Sequence, residues 1–424
     1  MSCSLSLTLR IGILLTVHRT HPLNPGTTVP PTGAMATALL ASLFPSSSQS
    51  SSHQILAALR GQYGTVGLYS ALQRVFLLFG LIAAPTCWII DAPFGRFGTP
   101  KWLAVPGGPA WLLMELVAPL AFLAGLSLPL TTTTTSPLPS LSHLLWGPQT
   151  PSLSETLSSL PRARLILVLA FLIHYTNRSL LSTWRNPSRA RMHLAVPLSA
   201  SLFNLANGLT LGMQIGGGFP AAAAAAREGG GIASWRAYEG DGLAGEGWAR
   251  GVFYCGMGMW TIGFLSNIYH DEVLYSLKRD KKKQPSSTSS SSSGVKKSAA
   301  SESSSRYSIP PRSKGLYRFV SHPSYTSEWL EWLGFLLCTL SLGPSPFPSF
   351  ASTLHHTGKR LVPLPPVLQP LREWYLQPAA VFVLMEVAIM LPRATRGHRW
   401  YERTFGKKEW DEKGQKWVVV PGVW

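Results

Sequence analysis

The chain has 424 residues, 46% of them hydrophobic and only 13% charged, against about 25% charged in soluble globular proteins. Low charge combined with 15 Trp and 17 Phe argues against a row of soluble domains and for a chain solvated largely by lipid. The 37 Lys+Arg against 19 Asp+Glu give a net charge of +18, but these basic residues lie in loops beside apolar segments and not along one face, which argues against a nucleic-acid interface. The mean hydropathy of +0.14 is modest for a membrane protein, so polar segments must dilute it. Cys3, Cys87, Cys255 and Cys338 form no CxxC pair, which excludes a zinc ribbon or a disulfide scaffold.

Residues 1–60 read as an N-terminal extension. Within it Leu5–Val17 is short for a span, carries Arg10, and reads as a signal or targeting segment; Met35 is an alternative start. Residues 61–424 read as one membrane domain. A helix needs roughly 20 mostly apolar residues to cross the hydrocarbon. Seven stretches meet that expectation: 69–90, 104–130, 163–184, 193–216, 250–276, 326–343 and 376–393. The diluting material lies between them. Residues 131–160 are rich in Thr, Ser and Pro, 216–248 in Gly and Ala, 280–306 in Lys and Ser, and 343–372 in Pro. These low-complexity stretches are expected to be loops. The expected fold class is all-α: a polytopic membrane protein with a bundle of seven transmembrane helices.

Orientation follows from the basic residues near the spans. The segment from Lys278 to Arg318 holds eleven Lys+Arg and that from Arg393 to Lys416 holds eight, whereas 131–160 holds none. The N-terminus is then lumenal and the C-terminus cytosolic. A charged side chain inside a span costs about 2.5–3.5 kcal/mol on insertion scales, so each one is a functional candidate. Glu115, the group His174, Tyr175, Asn177 and Arg178, the group from Asn267 to Glu272, and Glu328 with Glu331 and Trp332 all fall toward the cytosolic side. Together they imply a polar, partly cationic cavity that opens to the cytosol. Asn204 and Asn207 read as interhelical hydrogen-bonding links. No GxGxxG follows a strand, and GxxxxGK[ST], HExxH and GxSxG are absent, so a nucleotide would have to be held by the bundle itself.

The pieces come in a recognisable order. Phe94-Gly95-Arg96-Phe97-Gly98, Pro109 through Leu116 (PAWLLMEL), His174-Tyr175-x-x-Arg178, Ala206-Asn207-Gly208 and Asn267 through Asp271 (NIYHD) are followed by Tyr307-Ser308-Ile309-Pro310, Gly315-Leu316-Tyr317, Glu328 through Trp332, and Arg393 with His398 through Tyr401. This set resembles the steroid 5α-reductase family, the 3-oxo-5α-steroid 4-dehydrogenases, and looks like a divergent, fungal-like member with low-complexity insertions. The similarity runs from about Tyr69 to the C-terminus, with the steroid-reductase-like C-terminal part over 165–424.

The resemblance implies a seven-helix endoplasmic reticulum enzyme that uses NADPH to reduce a carbon–carbon double bond conjugated to a carbonyl in a steroid or other lipid enone. It implies Tyr175 and Glu115, the latter in its neutral acid form, as the catalytic donors to the carbonyl oxygen. It implies Asn267, Asp271, Lys278, Tyr307, Ser324, Glu328, Trp332, Arg393 and Tyr401 as cofactor contacts, and no metal. The chain departs from the family's pattern at Met114, Ser199, Ser324 and Gly397, where glutamine, arginine, asparagine and histidine are expected. His322-Pro323-x-Tyr325 also resembles the isoprenylcysteine methyltransferase-like branch, so a membrane methyltransferase is the alternative, as is a reductase of polyprenols or enoyl-CoA lipids. The expected partners are the lipid substrate and membrane lipid, with the protein a monomer.

Overall fold

The computed structural model describes residues 64–90, 102–129, 150–219, 241–243, 247–283, 307–343 and 377–423. All of them fall in the unit Gln54–Trp424. The segment Phe94–Gly98, the proposed N-terminal extension and most of the four low-complexity stretches lie outside the described residues. In chain order the elements are α1 (Gly64–Ile89), β1 (Ala104–Val105), α2 (Gly107–Leu126), α3 (Leu153–Ser159), α4 (Arg162–Arg185), β2 (Met192–His193), α5 (Ala195–Ile215), α6 (Trp248–Lys283), α7 (Pro323–Leu340), α8 (Pro378–Phe405) and α9 (Lys407–Lys413). A 3-10 turn, Gly315–Arg318, precedes α7.

The described fold is mostly helical. Four helices, α1, α2, α4 and α8, are long and apolar enough to cross a membrane, where seven were expected. The other three long helices, α5, α6 and α7, carry the amides and acids Asn204, Asn207, Asn267, Asp271, Glu328 and Glu331, which lower their apolarity. Three further differences have physical causes. The end of the Thr/Ser/Pro-rich stretch is helical (α3), because Ser152 and Glu155 form a reciprocal capping box. The two hydrogen bonds from Ser152 hold the Glu155 carboxyl below its ordinary range. Helix α6 continues to Lys283, well past residue 276, with its last turns charged and solvated. Finally, the otherwise helical fold includes a two-residue antiparallel pairing, Ala104 with His193 and Val105 with Met192, that ties the entries of α2 and α5 together.

Small residues set the closest helix pairs. A Cβ on Gly208 would lie 2.4 Å from the Ala118 carbonyl oxygen, and one on Gly212 would lie 2.2 Å from that of Phe122, so α5 and α2 touch backbone to backbone through a GxxxG stripe. Helices α6 and α7 meet in the same way. A Cβ on Gly256 would lie 2.6 Å from the Gly334 oxygen, and one on Gly334 would lie 2.5 Å from the Gly256 oxygen. Between the pairs sits an aromatic core: Phe122 stacks on Phe171 (centroids 4.1 Å apart), and Trp332 meets Phe382 edge-on at 4.6 Å.

The helix ends gather into two sets. At one end Arg164, fully buried at the start of α4, donates to the Gln214 and Ile215 carbonyls that close α5 and to the Gly343 carbonyl after α7. Thr65 of α1 donates to the Pro129 carbonyl after α2 (2.7 Å), and Gln214 donates to Gln377 before α8 (3.2 Å). At the other end Arg396 of α8 donates to the Cys87 carbonyl of α1 (2.8 Å), Trp111 of α2 donates to the Arg178 carbonyl of α4 (3.2 Å), and Arg279 of α6 donates to the Arg185 carbonyl of α4 (3.2 Å). Successive long helices therefore run in alternating directions.

Candidate active site

The site is built at the second of these ends, where α2, α4, α5, α6, α7 and α8 converge. Tyr175 and Arg178 lie on consecutive turns of α4 at a π-helical stretch, Asn177–Leu181. Such bulges insert an extra residue into a turn and rotate the side chains beyond it. Ser179 donates to the Tyr175 carbonyl (2.6 Å), so a serine hydroxyl bonds within the widened turn.

Arg178 is the hub. Its Nε lies 3.4 Å from Glu115 Oε1 and its Nη1 lies 3.4 Å from Glu328 Oε2, so one guanidinium bridges α2 and α7. Its other face lies over Trp111, with Arg189 on the same ring. From Glu328 the network runs into α6: Asn267 Nδ2 donates to Glu328 Oε2 (3.4 Å) and to the Ser324 carbonyl (3.3 Å). Ser324 Oγ then donates to Asp271 Oδ1 at 2.9 Å. The serine that replaces the expected asparagine therefore keeps a polar link to Asp271.

Tyr175 is fully buried. Its hydroxyl accepts from Asn207 Nδ2 at 3.4 Å, which leaves the phenolic proton free to be donated elsewhere. Asn204, a turn earlier, donates to the Met114 carbonyl (2.7 Å), so both asparagines make the interhelical links expected of them, that of Asn207 falling on the Tyr175 hydroxyl. His174 points the other way, to Glu331: Nδ1 and Oε1 are 2.6 Å apart and both side chains are buried. The His174 ring packs edge-on to Trp332 (4.7 Å), so this pair fixes the wall beside Tyr175.

The other sequence-derived residues lie toward the same end of the helices, with contacts of their own. Lys278, two turns beyond Asp271 on α6, donates to Asn186 Oδ1 (3.1 Å) and to the Ser188 carbonyl after α4. Tyr307 packs on Trp400 (4.9 Å), and the Lys281 ammonium donates to its carbonyl. Tyr401 stacks on Trp410 (5.4 Å) and faces His322, which precedes α7. Arg393 lies on α8. The C-terminal segment is strapped onto this end: Trp417 and Val418 carbonyls accept from the Ser321 and His322 amides, and Thr326 donates to Val419 (2.6 Å). Of the remaining departures, Ser199 is exposed and bonds back to the Ala195 carbonyl (2.7 Å), Met114 is buried in α2, and Gly397 is buried in α8. No cluster of His, Cys, Asp or Glu suited to a metal occurs among the described residues.

Sequence reasoning missed Glu386. It lies in the apolar run of α8, a turn beyond Phe382, whose ring meets Trp332 and Phe203. The available signal was an acid within a span, the same signal that picked out Glu115.

No protein-family model matches the chain. It is 30% identical over 344 residues to an uncharacterized protein of Schizosaccharomyces pombe, C9.08c, an alignment covering 80% of this chain and 95% of that one. It is 23% identical over 336 residues to 3-oxo-5-alpha-steroid 4-dehydrogenase 1 of Rattus norvegicus, covering 79% and 87% of the two chains. It is 24% identical over 245 residues to steroid 5-alpha-reductase DET2 of Solanum lycopersicum, covering 57% and 63%.

Proposed function

Because this chain belongs to the steroid 5α-reductase (3-oxo-5α-steroid 4-dehydrogenase) family, we propose that it reduces a carbon–carbon double bond conjugated to a carbonyl in a steroid or sterol-like lipid, with NADPH as reductant. The observation that carries this reading is the Tyr175 hydroxyl. It is buried, its oxygen is occupied by Asn207, and its proton is free to be donated beside Glu115 and Arg178. As a hydride adds to the β-carbon of an enone, negative charge grows on the carbonyl oxygen. A preorganised donor in a dry site stabilises that oxygen far more than water would. Tyr175 is that donor, and Glu115 in its acid form is the second. Asn207 orients the phenol. Arg178 holds Glu115 and Glu328 in place and brings positive charge to the same end. Phe171, Phe203, Trp332 and Phe382 wall the region and exclude water. The α-carbon then takes a proton from solvent or a relay.

The residues suit the cofactor. Asp271 and Glu328 offer carboxylate acceptors of the kind that take ribose hydroxyls, and Lys278, Arg185 and Arg279 form a cationic rim for phosphates. Trp332 Nε1 is buried without a hydrogen-bond partner among the described residues, a donor to which a cofactor carboxamide is matched. Asn267, Ser324, Tyr307, Arg393 and Tyr401 complete the proposed contacts. When bound, NADPH supplies the hydride.

We also propose that all seven long helices cross an endoplasmic reticulum membrane, with this end of the bundle and the C-terminus in the cytosol. Supporting this, α5 presents Leu198, Leu202 and Leu205 outward and Asn204, Asn207 and Gly208 inward, and α6 presents Ile262 and Leu265 outward. The direct test is NADPH consumption by purified protein across a panel of lipid enones. Turnover with a 4-ene-3-ketosteroid, and none with S-adenosylmethionine and a methyl acceptor, is the expected result. Absence of NADPH oxidation with every enone would contradict the reading.

A further inference from the structure

His270 lies on α6 between Asn267 and Asp271, is buried, and takes no part in the chemistry above. Its two ring nitrogens have opposite and fixed roles. Nδ1 is 2.6 Å from the Ser266 carbonyl oxygen, which only accepts, so Nδ1 carries the proton. The hydroxyls beside it agree. Ser327 donates to the Pro323 carbonyl (2.8 Å), which leaves Ser266 to donate to Ser327 (2.8 Å) and its oxygen open to Nδ1 at 3.2 Å. Nε2 is then an acceptor, and it accepts the Leu316 amide at 2.9 Å. Leu316 belongs to the 3-10 turn Gly315–Arg318. The turn approaches this closely because residue 315 is glycine: its φ is +55°, and a Cβ there would lie 2.7 Å from Nε2. The buried Tyr317 ring meets the imidazole edge-on at 5.6 Å and closes the same contact.

The turn is docked beside proposed cofactor contacts. A single stretch of α6 holds both ends of the segment 316–324. His270 binds Leu316, while Asp271 accepts from Ser324 Oγ (2.9 Å) and Asn267 donates to the Ser324 carbonyl (3.3 Å). We propose that His270 is a positioning residue: as a neutral acceptor it clamps the 3-10 turn to α6 and so holds Ser324 on Asp271 in the geometry that receives the cofactor. The inference rests on the NADPH reading for the ligand but not for the clamp. The clamp needs a neutral imidazole, because a second proton, on Nε2, sets N–H against N–H and the bond is lost. Imidazole takes up that proton at about pH 6.5 in water, so the clamp is closed at high pH and opens as the pH falls. Among the described residues the titratable groups beside the ring are Asp271 and Tyr269 on α6 and Tyr317 on the turn; α7 reaches it through the Ser327 hydroxyl. Asp271 is committed to Ser324 and to the Tyr275 hydroxyl (3.3 Å).

The test compares wild type, His270→Gln and His270→Leu, full-length in detergent, between about pH 8 and about pH 5. Glutamine offers its amide oxygen to Leu316 at every pH, and leucine offers nothing. Backbone hydrogen exchange over 315–319 reads the clamp without cofactor, and equilibrium dialysis of NADPH reads the site. Comparing the proteins at each pH cancels the pH dependence of exchange chemistry and of the cofactor phosphate, and exchange in α2 controls for global unfolding. At the high-pH end wild type and His270→Gln are expected to match in both measurements. At the low-pH end wild type is expected to lose about tenfold or more of its protection and of its NADPH affinity relative to His270→Gln, and His270→Leu to show that loss at every pH. Equal pH profiles for wild type and His270→Gln, or full protection in His270→Leu, would overturn the proposal. A loss of protection without a change in NADPH affinity would overturn it as well. If no variant binds NADPH, the cofactor reading fails, while the exchange profiles still decide whether His270 clamps the turn.

Discussion

Tyr175, Asn207, Arg178 and Glu115 come from three helices and are tied to one another by single contacts, so each can be tested by deletion. Removing a preorganised donor to a developing oxyanion typically lowers turnover by about 10²–10³-fold. Tyr175→Phe is expected to do so with the fold intact, read as kcat by NADPH consumption together with an unchanged thermal melt. Asn207→Leu keeps the phenol but removes the amide that orients it, and a smaller loss, about tenfold, is expected in the same assay. His174 and Glu331 are a different case. They form a buried pair with each other, and removing one member of such a pair costs about 3–5 kcal/mol because the other is left buried alone. His174→Phe should therefore appear first as a lowered melting temperature. Glu115, Tyr175, Asp271 and Glu328 were legible in the sequence, because polar groups in apolar runs stand out. The partner of Asn207 was not, because a buried amide is equally consistent with any link between helices until its partner is seen. Glu386 carried the same signal as Glu115, an acid in an apolar run, and was passed over.

Helix positions were legible to within a turn or so at the N-terminal ends, since the onset of apolar residues marks them. Most C-terminal ends were as well, and those of α6 and α8 were not. Helices α6 and α8 run on through charged residues that continue the helix outside the apolar run, and ion pairs such as Arg279 with Glu272 support the extension. The helix pairings were hidden as well, because a glycine in a span reads alike whether it faces lipid or another backbone. The structure shows Gly256 and Gly334 against each other, with no room for a side chain. Gly334→Val should force α6 and α7 apart, with a loss of about 1–3 kcal/mol or more, measured as a drop in detergent melting temperature. The Asn267–Glu328 bond that crosses the same interface should weaken with it, so cofactor affinity is expected to fall in parallel.

At the scale of the molecule, the alternating helix directions place the Arg164 cluster at one end and the polar site at the other. In the topology proposed above, charge in the connecting segments puts the first end in the lumen and the second in the cytosol. Glycosylation acceptors inserted within 343–372 should be modified and those within 280–306 should not; modification of the second alone would reverse the assignment. Arg164 binds the carbonyls that end α5 and follow α7, and three acceptors, two of them in fully buried bonds, lose their charged donor in Arg164→Met. A loss of about 3 kcal/mol or more is expected from bonds to a charged group, with Arg164→Lys restoring part of it. The alternation itself was legible from counting spans, but the convergence of the polar groups at one depth was visible only as a pattern until Arg178 joined them.

The most direct test is single-turnover reduction of a 4-ene-3-ketosteroid by purified protein loaded with NADPH, comparing wild type with Tyr175→Phe. The account predicts that wild type converts the enone to its 4,5-dihydro product with one NADPH consumed per product formed, and that Tyr175→Phe slows this step about 10²-fold or more while still binding NADPH. Equal rates for the two proteins, or NADPH binding without reduction of any lipid enone by wild type, would contradict it.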